Sequence, residues 1–340
     1  MTMTAPVPDA DAEATLQALT DLTTPFAIRV AVTLGLPALI AQGVTSADAL
    51  AARTGAHPRA LTGLVRYLVG KGVLARPSSS AALALTDVGK LLLSPRAQLM
   101  LNLHQAGGHM SQAWAGLLPA VQTGTAGYQA VFGCSFWQSL DAAPALAASF
   151  DAYMAGWAAQ WIPDVVQGRD WSDTGHVIDV GGGAGRLLCA LLQAHRALRG
   201  TLVELSGAAM RGRDALAAAG VADRGTVVEG SFFDPLPAGG DIYLLAQVIH
   251  DWPDADAVRI LRRCADAARP TGRVLLVERL VDAEPSADHA RMDLFMLVLF
   301  GSGERSLAEF TALTDAAGLD IAGTRAIGHG LSFVECVPRS

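Results

Sequence analysis

Apolar and polar positions fall into two textures along the chain. In the first, apolar residues recur at steps of three and four: Leu16, Leu19, Leu22, Phe26, Val30 and Leu34 share one face of a helix that Gly35 and Pro37 end. From 44 to 93 the elements shorten. Ser46 or Thr45 caps ADALAART, Gly55 closes it, and Pro58 opens RALTGLVRYLVGKG, with Leu61, Leu64, Val65 and Leu68 on one face. Two extended runs around a Ser-rich turn follow in VLARPSSSAALALT. Helix, turn, helix and hairpin predict a winged-helix arrangement, and helical spacing continues through 140–161.

The second texture begins after 171–174. HVIDVGGG, GTLVEL, GTVVEG, DIYLLAQVI and RVLLVERL alternate with the helical GRLLCALLQAH and ADAVRILRRCADAA. Strands alternating with helices predict a doubly wound α/β domain, a parallel sheet covered on both faces. The expected division is a mainly α-helical domain at 1–170 and a Rossmann-like domain at 171–340.

Composition narrows the function classes. With 340 residues and 51% apolar content there is ample material for two cores. The net charge of −7 argues against a dedicated nucleic-acid binder. The winged-helix segment is locally basic (Arg53, Arg59, Arg66, Lys71, Arg76, Lys90), but its second helix offers no Asn or Gln to read base edges. Packing or dimerisation is its expected role, with a DNA-binding regulator as the alternative. The apolar N-terminal helices predict a homodimer. Cys134, Cys189, Cys264 and Cys336 are far apart, without C-x-x-C or zinc-ligand spacing, so no metal is expected. The N-terminus lacks a signal-peptide pattern and no apolar run spans a bilayer; a cytoplasmic protein is expected.

The strand VIDV runs into Gly181, Gly182, Gly183, Ala184 and Gly185, then a helix. Glycines there allow a tight turn and close approach of a ligand to a helix N-terminus. A dinucleotide fingerprint needs glycine at 186, where Arg186 stands. The run is instead Asp179-x-Gly181-x-Gly183-x-Gly185. Asp179 would repel a pyrophosphate and suits a cationic group such as an α-ammonium, which favours S-adenosylmethionine over NAD. Glu204, at the end of the next strand, is either a solvated strand-end acid or, as its spacing from the glycine loop favours, the acceptor of both ribose hydroxyls.

Ligands of open α/β sheets sit beyond the carboxyl ends of the strands. His250, Glu278 and Glu304 lie at three such ends or loops. Ser306 and Glu309 form a capping box, which leaves Glu304 without a local role. His250 is the natural general base, unless it is a helix-entry residue ahead of a cap at Asp254. Trp252 either stacks on an adenine or fills a helix–sheet interface.

At these residues the chain resembles the class I S-adenosylmethionine-dependent O-methyltransferases of caffeate type, which include bacterial enzymes tailoring aromatic polyketides and antibiotics. The resemblance rests on Asp179 to Gly185, on GSFFDPLP at 230–237, on HDWPD at 250–254 and on GERS at 303–306. It implies a winged-helix dimerisation domain that also covers the substrate, with Gly181, Gly183, Gly185, Glu204, Leu205, Ser231, Phe232, Gln247 and Trp252 at the cofactor. It implies His250 as base, assisted by Glu278 and Glu304, and methyl transfer to an acidic aromatic hydroxyl. Some relatives instead use the bound cofactor in hydroxylation or decarboxylation. The pocket would draw on one helix face with Phe150, Tyr153, Met154 and Trp157 and another with Met292, Phe295, Met296 and Leu299; Met154 and Met296 are the substrate candidates. Two positions depart from the family pattern: Ser231, where many members have Asp, and Ala246, four before the histidine, where a polar residue is common.

Overall fold

The structure is a computed structural model that describes residues 10–77, 82–281 and 286–339; the Ser-rich turn expected at 78–81 lies outside them. The chain forms two compact units, 1–109 and 110–340.

In the first unit the expected long N-terminal helix is two, Ala10–Leu19 and Thr23–Thr33. Asp21 breaks it by accepting from the amides of Thr23 and Thr24 at 2.8 and 3.3 Å, the local bond that competes with helix propagation. Leu16, Leu19 and Leu22 stay 62–79% exposed, an apolar face left open within a single chain. The helix pair Ala47–Thr54 and Pro58–Gly70 forms as expected. Ser46 accepts from the Ala49 amide, Gly55 closes the first helix at φ 70°, and Leu61, Val65 and Leu68 are buried. Strands β1 (Leu74–Ala75) and β2 (Ala84–Leu85) pair antiparallel as the wing.

The second unit holds the sheet: β3 (His176–Val180), β4 (Arg199–Glu204), β5 (Gly225–Glu229), β6 (Ile242–Ala246), β7 (Arg273–Arg279), β8 (Leu319–Ala326) and β9 (Leu331–Pro338). Its order is β5-β4-β3-β6-β7-β9-β8. The first five strands run parallel, and β9 and β8 are antiparallel additions that the sequence reading did not contain. The chain moves outward from β3 through β4 and β5, then returns to place β6 on the other side of β3. That reversal opens a crevice between the loops after β3 and β6, the usual ligand position in such sheets.

The texture change near 171 marks where β-structure begins, whereas the compact unit begins at 110. Trp161 and Val165 of helix Pro144–Gln167 are buried in one core with Val177, Leu187, Leu188 and Leu191. Helical spacing reports the local element, and burial decides which core the helix joins. No helix among the described residues is long and apolar enough to cross a membrane.

Candidate active site

The loop after β3 turns on Gly181, Gly183 and Gly185 at φ 72°, 60° and 71°, a left-handed conformation that side chains resist. Two of its glycines are also required by space. A Cβ on Gly182 would stand 2.2 Å from Asp179 Oδ2, and one on Gly181 would meet the Phe232 ring at 3.1 Å. Asp179 is 1% exposed beneath this loop, and neither carboxylate oxygen has a hydrogen-bond donor among the described residues. Burial, with Glu204 nearby, pushes its carboxyl up to about 7. Glu204 accepts from the Gly183 amide at 2.9 Å and the Leu205 amide at 2.8 Å, so the end of β4 braces the glycine loop. Its carboxyl is raised by burial, against these bonds. Ser231 Oγ accepts from the Phe233 amide at 3.2 Å. Trp252 meets Phe232 and Phe233 edge-on, at centroid distances of 5.6 and 5.0 Å.

Across the crevice, His250 sits in a short 3-10 turn, Ile249–Asp251, directly after β6. Gln247 enters it at φ 56°, with its amide donating to Val277 O. Glu278, fully buried on β7, holds the turn: Oε1 accepts from the amides of Val248 and Ile249 at 3.1 and 2.8 Å, and Oε2 lies 3.4 Å from Gln247 Nε2. His250 Nδ1 lies 3.2 Å from Glu304 Oε1, and Nε2 lies 3.4 Å from Asp251 Oδ1. Burial pulls the imidazole down, but Asp251, Glu278 and Glu304 outweigh it and raise it to about 10. Asp251 and Glu278 are themselves pushed up by burial, to about 6 and 7.

Thus His250, Glu278 and Glu304 come together from separate segments, with Glu278 bonded to the backbone under the histidine. The helix-entry alternative for His250 does not hold, and Asp254 makes no cap. Asp254 instead takes Arg305, at 2.9 Å from Nη2. Arg305 is buried and also donates to the carbonyls of Ile249 and Trp252, clamping both sides of the His250 turn. Ser302 Oγ donates to the His250 carbonyl. Asp293 Oδ1 accepts from the Glu304 amide at 3.0 Å, and a Cβ on Gly303 would stand 2.4 Å from that oxygen. The sequence reading missed Asp251, Asp293 and Arg305. The available signal was an acid inside the apolar stripe of helix Ala287–Phe300 and an arginine beside Glu304. Of the substrate candidates, Met296 is buried on that helix, which packs on the His250 turn, and Met154 is half-buried on helix Pro144–Gln167.

A glycine loop over a donorless carboxylate, facing a buried histidine braced by carboxylates, defines a ligand-binding enzyme of the doubly wound class. Comparison with known proteins then places it. An O-methyltransferase domain matches residues 114–320 and an O-methyltransferase dimerisation domain matches 16–95, so the chain belongs to the O-methyltransferase family. It is 41% identical over 325 residues to the 2,7-dihydroxy-5-methyl-1-naphthoate 7-O-methyltransferase of Streptomyces carzinostaticus, covering 95% of this chain and 96% of the relative. It is also 41% identical over 327 residues to the aclacinomycin 10-hydroxylase RdmB of Streptomyces purpurascens, covering 94% and 87%. A solved O-methyltransferase of neocarzinostatin biosynthesis, NcsB1, in complex with S-adenosylmethionine and 2-hydroxy-5-methyl naphthoic acid, superposes with a TM-score of 0.87 at 40% identity, covering 95% and 98%.

Proposed function

We propose that this O-methyltransferase uses S-adenosylmethionine to methylate a phenolic or similarly acidic hydroxyl of an aromatic small molecule, as a cytoplasmic homodimer joined through its first unit. The observation that carries this reading is the buried His250–Glu304 pair, set across the sheet's crevice from the glycine loop.

The cofactor side fits the group. Asp179 offers buried negative charge without a donor, Gly181, Gly183 and Gly185 let the backbone approach closely, and Glu204 keeps lone pairs for ribose hydroxyls. Leu205, Ser231, Phe232, Gln247 and Trp252 lie around these groups in the proposed assignment. When bound, S-adenosylmethionine supplies an electrophilic methyl group.

The remaining chemistry belongs to the chain. Glu304 accepts from Nδ1–H of His250, and in the basic form of the ring Nε2, 3.4 Å from Asp251 Oδ1, takes the proton of the acceptor hydroxyl. The surrounding carboxylates hold His250 at about 10, close to a phenol at about 10, so the transfer is nearly balanced. Glu278 acts one layer below by holding the turn that aims the imidazole.

Calorimetric titration of the chain with S-adenosylhomocysteine tests the cofactor assignment, with micromolar binding at one site per chain expected. Absence of binding by the folded protein overturns it. The hydroxylase relative supports a second reading, in which the bound cofactor assists oxygenation. Product mass separates them: methyl transfer adds CH2 and hydroxylation adds oxygen.

A further inference from the structure

We infer that Arg186 holds the α-carboxylate of S-adenosylmethionine, so that the glycine loop grips both charges of the cofactor's amino-acid end. The inference deepens the proposed function and rests on its cofactor assignment.

An α-amino acid carries its ammonium and its carboxylate on one carbon, so a site that takes the first must also receive the second. Asp179, 1% exposed and without a donor on either oxygen among the described residues, is the place for the ammonium. The carboxylate then lies beside it, at a loop that Glu204 and Asp151 also charge negatively. An anion there needs a cation and free donors, because like charges repel strongly in a partly desolvated site.

Helix Arg186–Ala194 offers both. Its N-cap is Gly185, which has no side chain to cap it, and no acid stands in its first turn. The Gly185 amide closes the loop on the Gly182 carbonyl at 3.0 Å, and Gly182 lies directly against Asp179. The positive end of the helix therefore abuts the loop that covers Asp179, and Arg186 is its first residue.

Arg186 is exposed and has no hydrogen bond or ion pair among the described residues. It stands three positions before Cys189, on the same helix face. Burial and Asp179 push the Cys189 thiol up and Arg186 pulls it back, so Arg186 and Asp179 act on one flank of the helix. Helix Pro144–Gln167 packs along that helix and supplies Asp151. Burial raises the Asp151 carboxyl, and Arg211 and Arg186 oppose it from its two sides.

The other cations are committed. Arg211 pairs through Nε with Asp151 at 2.6 Å, and it also opposes the effect of burial on Glu204, which puts it at the ribose end. Arg305 is spent on the His250 turn and Asp254. Arg186 remains for the amino-acid end. This role also accounts for an arginine where a dinucleotide loop needs glycine.

The test compares S-adenosylhomocysteine with its decarboxylated counterpart, which keeps the adenine, ribose, thioether and amine. Each is titrated calorimetrically into the full chain and into Arg186→Ala and Arg186→Lys. The wild type is expected to bind S-adenosylhomocysteine about tenfold more tightly than the amine. Arg186→Ala should lose about tenfold for S-adenosylhomocysteine and stay within about twofold for the amine, since only the first ligand brings the anion. Arg186→Lys, which keeps the charge, should lose less. Equal losses for both ligands in Arg186→Ala, or none for S-adenosylhomocysteine, overturn the inference and leave the proposed function standing. Failure of the folded wild type to bind either ligand overturns the cofactor assignment, and the inference falls with it.

Discussion

Asp179 and Glu278 occupy the same place on two strands. Each is the penultimate residue, of β3 and of β7, with β6 between them, and each is buried and pushed up to about 7. Their surroundings differ. Glu278 is bonded to Val248, Ile249 and Gln247, whereas both oxygens of Asp179 lack a donor among the described residues. A buried carboxylate satisfied by its own chain builds local structure. One without a donor is costly in the empty protein and gains from a ligand that brings positive charge. Equal burial and equal shift therefore carry opposite meanings, and partner geometry tells them apart.

The largest expected effect falls on the Glu278 side. His250→Ala should lower turnover by about 10²–10⁴-fold, the usual weight of a general base, while S-adenosylhomocysteine affinity stays within about twofold by the same logic. Because His250 is held at about 10, the basic form grows as pH rises, so kcat/KM should climb from pH 7 to 9. Comparable losses in turnover and cofactor affinity would remove the base assignment.

Next is Glu278 itself. Glu278→Ala leaves two buried amides without an acceptor and should cost about 2–4 kcal/mol of stability in denaturant unfolding. Glu278→Gln retains an acceptor oxygen and should cost less. An unchanged unfolding midpoint in the alanine variant would show that Glu278 does not hold the turn.

Asp179→Asn should be smallest, and its two readouts run in opposite directions. The folded carboxyl titrates near 7 and the free group near 3.8. Proton binding therefore favours the fold most at low pH, and this contribution is lost as pH rises through 7. The Asn variant should melt higher than wild type, with the gap widening from pH 5 to 8, while S-adenosylhomocysteine affinity falls about tenfold. A lower melting temperature at pH 8 would erase the contrast with Glu278.

Strands β3, β4, β6 and β7 were legible because strands buried on both faces write near-continuous Val, Ile and Leu runs, and the exposed edge strand β5 by its Val227–Val228 pair between glycines. The glycine loop was legible because its spacing is local. Glu304 stood out because the capping box explained its neighbour Glu309 and not Glu304 itself. Arg305 was missed because its role exists only across some fifty residues of chain, as in the bond to Ile249, whereas Asp293 and Asp251 act only once the loop at Glu304 and the His250 turn have folded against them. The break at Asp21 was missed because apolar spacing continues through it and a side-chain bond ends the helix. Strands β8 and β9 were missed outright; the exposure of β8 past Leu319 leaves little alternation to read.

Arg305 has a consequence for how such an enzyme can change. One guanidinium ties the 301–305 loop to both sides of the His250 turn, so a change that displaces this loop is transmitted to the base. Among the described residues helix Pro144–Gln167 makes no charged bond to the turn; its charged ties run from Asp151 to Arg211 and from Asp164 to His329. If, as proposed, Met154 on that helix faces the acceptor, substitutions there leave the charged ties of the His250 turn in place, which makes it the place to start in redirecting the enzyme.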